Sequence, residues 1–99
     1  MLDKFTSSDF TPHLHEIFHV QVEQGGEVEL ELIQVTDGGR EHGPGVRTPF
    51  SLIFLGPPSP QYLAQQIHHL EHEKVGALDL FLVPIGFEEG CMQYESIFN

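Results

Sequence analysis

Basic side chains are scarce in this chain, cysteine occurs once and tryptophan not at all. With Cys91 as the one thiol, no intrachain disulfide can form. A reducing compartment is permitted, and a cytoplasmic location is expected. Four Lys and Arg stand against fifteen Asp and Glu, a formal charge of −11 with histidine neutral. Such a surface repels phosphate backbones and anionic headgroups, so neither nucleic acid nor membrane is an expected partner. It suits solubility or attraction to a basic protein. No apolar run approaches the roughly 20 residues of a membrane helix. The N-terminal stretch, residues 1–5, lacks the basic segment and apolar run of a secretory signal, so none is expected.

What is present reads as β-structure in one domain spanning residues 1–99. Residues 1–11 are largely polar, with two phenylalanines, Phe5 and Phe10, and form an N-terminal arm whose Phe10 packs onto the barrel edge. Phe18, Val20 and Val22 alternate with His19, Gln21 and Glu23, a half-buried strand over 17–23. Residues 24–26, Gln-Gly-Gly, supply the positive φ of a tight hairpin. A second strand, 27–35, turns Val28, Leu30 and Leu32 inward, and its parity slips at Ile33, the signature of a bulge. Residues 37–47 hold four glycines and a proline and make a flexible loop. This loop lacks the Gly-Lys-Ser/Thr ending of a phosphate cradle. Residues 48–55 form a third strand with Phe50, Leu52 and Phe54 on one side, terminated by Gly56 and the prolines after it.

Leu63, Ala64 and Ile67 fit helical spacing behind Ser59-Pro60, so a short helical turn is expected over 60–65, with a strand over 66–72. The most apolar stretch, Leu78 to Gly86, reads as a central strand buried on both faces and stopping at Pro84. Residues 87–90 are a hairpin loop, and 92–98 a last strand with Met92, Tyr94 and Phe98 on one side. About six strands with at most one helical turn predict an all-β fold, an antiparallel barrel or sandwich.

Pro49-Phe50-Ser51-Leu52-Ile53-Phe54, Gly56-Pro57, Leu70-Glu71-His72 with Gly76, Leu80 to Gly86, and Tyr94 to Asn99 resemble a family of small bacterial domains known as a domain of unknown function. The resemblance covers roughly Phe10 to Asn99, and the chain departs from the family pattern at Gln66 and His68. The resemblance implies a neighbourhood of collar-like or tail-fibre-like proteins of phage-type assemblies. The resemblance therefore implies a structural or assembly role and no cofactor.

Seven histidines are the compositional oddity. His13, His15 and His19 share strand parity, as do His68 and His72, and such pairs beside a carboxylate could hold zinc or nickel. His15 and His19 lie opposite in parity to Phe18 and Val20, so they are expected to face solvent, and no metal site is expected. Had one formed, His15, His19, His68 and His72 would be its ligands. For acid–base chemistry the candidates are Asp79 and Glu71 beside His69 or His72. Asp79 shares parity with Phe81 and Val83 and is expected near the core, or as a strand-end carboxylate capping a turn. Cys91 sits among acidic residues that blunt a thiol, and Ser51 matches no nucleophile motif. The expected function is a non-catalytic module that binds a protein partner or assembles with its own copies, in a phage-tail-like or other bacterial complex. A small-ligand or metal-binding barrel is the alternative, and an enzyme of unknown type the second.

Overall fold

The computed structural model describes residues 5–22, 25–37 and 49–98. The strands are β1 (Ile17–Gln21), β2 (Glu27–Asp37), β3 (Phe50–Pro58), β4 (Gln66–His72), β5 (Gly76–Glu88) and β6 (Cys91–Phe98). They neighbour one another in the order β1-β2-β3-β6-β5-β4, and β4 pairs back onto β1 through Val20 and Leu70. The sheet therefore closes into a six-stranded antiparallel barrel, not a sandwich. Closure gives every strand a neighbour on each side, with β5 pairing to β4 over Gly76–Leu82 and to β6 over Val83–Glu88.

Alternation decides what fills the barrel. Phe18 and Val20, Leu30 and Leu32, Leu52 and Phe54, Leu70, and Leu80 and Leu82 point inward and are essentially fully buried. Each such side chain contributes about 1.5–3 kcal/mol. The parity slip at Ile33 is a bulge, since the β2–β3 register shifts between Leu32 and Gln34. Gly56 continues β3 where an end was expected. A Cβ there would lie 3.3 Å from the Tyr94 ring and 3.4 Å from the Met92 carbonyl, a tight fit that favours glycine where β3 passes β6. Pro57 and Pro58 follow at the strand end beyond a second register shift, where a missing N–H is tolerated.

One end of the barrel is formed by the starts of β1, β3 and β5 and the ends of β2, β4 and β6. It is closed by α1 (Ser7–Phe10) and a 3-10 turn over Thr11–His13. The Thr6 N–H donates to Asp9 Oδ2 at 2.8 Å and starts the helix. Phe10 is fully buried, its ring 5.5 Å from Phe98 and 5.9 Å from Phe50. The expected packing of Phe10 on the barrel edge goes further here, since the ring plugs the barrel mouth. The rest of the expected arm, residues 1–4, lies outside the described residues. So do Glu23, Gln24, Thr48 and the loop over 38–47.

The opposite end is crossed by residues 59–65, which run from β3 to β4 on the far side of the ring. They carry no helical turn, contrary to expectation. The Leu63 N–H donates to Tyr94 Oη at 2.8 Å and the Ala64 carbonyl meets His68 Nε2 at 2.7 Å. Both backbone groups are thereby used by the barrel, and the neighbouring prolines favour extended chain. β4 spans the residues expected of it. β5 does not stop at Pro84: it runs on to Glu88 through a bulge between Pro84 and Gly86, a position where a sheet accepts proline. Nor is it buried on both faces, since no second layer covers the outside and Phe81 stands 48% exposed. Its hairpin to β6 is the two-residue turn Glu89-Gly90, both at positive φ (50° and 84°). Among the described residues no helix is long and apolar enough to cross a membrane.

Candidate functional site

The structure sorts the histidines into two groups. His68 and His72 share the inward face of β4 with Leu70 and are buried. His15 and His19 lie outside, His15 on Glu31 (3.1 Å) and His19 3.5 Å from Glu27. His19 Nδ1 is enclosed without a hydrogen bond, although the ring as a whole is partly exposed. The four residues named as metal candidates are therefore not brought together as one ligand set.

A different trio converges at the plugged end. Glu16 Oε1 lies 2.9 Å from His13 Nδ1 and 2.8 Å from His72 Nε2, and the three ligand-type atoms fall within 4.8 Å of one another. The hydrogen bonds fix the chemistry. His72 Nδ1 accepts the N–H groups of Lys74 (3.0 Å) and Val75 (3.1 Å), so its proton sits on Nε2 and is donated to Glu16. A ligating histidine has the opposite arrangement, with the nitrogen away from the metal donating its proton. As built, the trio is a clasp that ties the N-terminal plug to the β4–β5 turn. The bonds from His13 first, then His72, hold the Glu16 carboxyl below its ordinary value near 4.5. That contribution is complete above the ordinary value and is lost as pH falls through the folded one.

The acid–base candidates meet outside the barrel. His69 Nδ1 lies 2.9 Å from Asp79 Oδ1 and its Nε2 lies 3.1 Å from Glu71 Oε2. Both ring nitrogens face carboxylate oxygens, an arrangement that favours the protonated imidazolium. The hydrogen bond to Asp79, then that to Glu71, raises the His69 pKa above 6.5. Asp79 is exposed, not near the core as its parity with Phe81 had suggested, because 79, 81 and 83 face outward on β5. This constellation is an open surface salt bridge with no enclosing pocket, and Glu71 and His69 touch depressions that are open to solvent. A smaller apolar hollow of about 200 Å³ lies under the crossing segment, against Leu63, Met92 and Tyr94.

Beside the His69 bridge the outer wall turns apolar. Ile67 on β4 pairs across to Phe81 on β5. The β5–β6 ladder ends at Val83–Glu95, and its register carried two residues further would set Ile97 on the far side of Phe81. Ile67 is 67% exposed and Ile97 60%. Asp79 flanks this row two residues along β5, and Glu95 flanks it two residues along β6 from Ile97. Sequence reasoning placed neither Glu16 nor Ile67 nor Ile97 at a site. The His13-x-x-Glu16 spacing and the odd parity of Ile67 against Leu70 were the available signals.

No curated protein and no solved structure matches the chain. Over residues 5–98 it matches the family described as Domain of unknown function (DUF6916), and the chain belongs to that family.

Proposed function

We propose that this domain is a non-catalytic interaction or assembly module that contacts another protein through the β4–β5–β6 wall. The observation that carries this reading is the exposed cross-strand row of Ile67, Phe81 and Ile97, since water-facing apolar rows of this kind mark interaction sites. The fully buried apolar side chains inside the barrel support it too, and the hollow of about 200 Å³ under the crossing segment is smaller than the roughly 300 Å³ at which ligand pockets begin. The setting implied by the family resemblance is a bacterial, phage-tail-like or other multi-protein complex, and the single cysteine fits a place in the cytoplasm. Nucleic acid and membranes stay outside the proposal on grounds of charge.

The test is a pull-down from the native host with wild-type and Phe81→Ser baits, beside a broad screen for small-molecule turnover. The proposal requires a protein recovered by wild type and lost with Phe81→Ser. Turnover without any Phe81-dependent partner would defeat it.

A further inference from the structure

The geometry points to the chemistry of the partner: a helical segment with an apolar face and Lys or Arg along both edges, laid on the Ile67–Phe81–Ile97 row. This rests on reading the domain as an interaction module. Alternate residues of a strand are spaced roughly 6.5–7 Å apart. The Asp79 flank and the Glu95 flank therefore lie about 13 Å from each other across the row, close to the roughly 10–12 Å diameter of a helix with its side chains. An apolar stripe on such a helix meets the row while basic residues at its edges reach a carboxylate on either side.

The charge on the wall selects the sign. Asp79 and Glu95 edge the row, Glu71 lies one step beyond His69, and among the described residues the sole Lys or Arg is Lys74, in the β4–β5 turn. His69 shows how the Glu71–Asp79 pair takes cationic N–H donors, one from each ring nitrogen. A second copy of the chain would bring carboxylates against carboxylates, a juxtaposition that interfaces avoid. A partner edged with Lys and Arg gains at both flanks and is steered toward the wall by the charge of the whole chain.

The experiment measures fluorescence anisotropy of two synthetic helical peptides against the full chain, one with a leucine face and lysine edges, one with the same face and glutamate edges. The lysine-edged peptide binds and the glutamate-edged one does not. Binding weakens at least about tenfold in Phe81→Ser, Ile67→Ser and Asp79→Lys, and also with salt as screening shortens. Glu29→Lys makes the same change in net charge on β2 and costs less than about threefold. Ile67→Ser serves where Phe81→Ser alters the melting curve. Equal losses in Asp79→Lys and Glu29→Lys overturn the proposal, since bulk charge alone would then be at work. Tight binding of the glutamate-edged peptide overturns it too, as does self-association abolished by Phe81→Ser. If neither peptide binds while a native partner still depends on Phe81, this partner chemistry is wrong and the wall remains the contact surface.

Discussion

Truncating Phe10 to alanine separates a plug from a loosely attached arm. The ring is fully buried in the barrel end and packs against Phe5 (5.3 Å), Phe98 and Phe50. Removing a buried phenylalanine ring costs about 3–5 kcal/mol, transfer and cavity terms together. A domain of this size has roughly 5–15 kcal/mol in total, so the loss takes a large share. Urea unfolding followed by circular dichroism reads it directly. With a slope near 2 kcal/mol per molar, the midpoint falls by roughly 2 M at unchanged slope. Phe81→Ala removes the same ring from an exposed position and moves the midpoint far less. If Phe10→Ala shifts the midpoint by less than about 0.5 M, Phe10 merely leans on the rim and the plugged-barrel description fails.

The Glu89-Gly90 turn places a non-glycine residue at positive φ, and Glu89→Asn, which tolerates that conformation better, should stabilise by about 0.5–1 kcal/mol in the same urea assay. Gly56→Ala should destabilise by about 1–3 kcal/mol, because the new methyl meets the Tyr94 ring and the Met92 carbonyl. NMR titration should place the His69 pKa above 6.5, and Asp79→Asn should lower it. A raised histidine pKa contributes stability that is complete below the ordinary value and lost as pH rises through the folded one. Asp79→Asn should therefore destabilise more at pH about 5.5 than at about 9, and a reversed order would contradict the pairing.

The strands were legible where alternation was clean. Val28, Leu30 and Leu32 announced β2 and its bulge, and the Gly-Gly turn after β1 was plain. The Leu78–Gly86 stretch misled because an unbroken apolar run reads as burial on both faces. In the barrel the run splits into a core half, Leu78, Leu80 and Leu82, and an outward half that carries Phe81. The helical turn was misplaced because four residues of α1 give no periodicity, although Thr6 and Asp9 already stood at capping distance. His68 and His72 flank Leu70 at a spacing of two, so their burial followed from β4 being a strand. The clasp was beyond reach, since Glu16 and His72 are 56 residues apart and meet through barrel closure. The apolar row needs no closure, since β4, β5 and β6 follow one another as hairpins, but seeing it required the registers of both hairpins.

The most direct test of the interaction-module account is a chemical-shift map of the labelled protein titrated with the partner recovered from its host. The account predicts shifts or broadening concentrated at Ile67, Asp79, Phe81 and Ile97. Ile17, exposed on β1 away from this row, should be unmoved. Perturbations centred instead on the His13–Glu16–His72 clasp or on the hollow beneath Leu63, with the β4–β5–β6 wall silent, would contradict it.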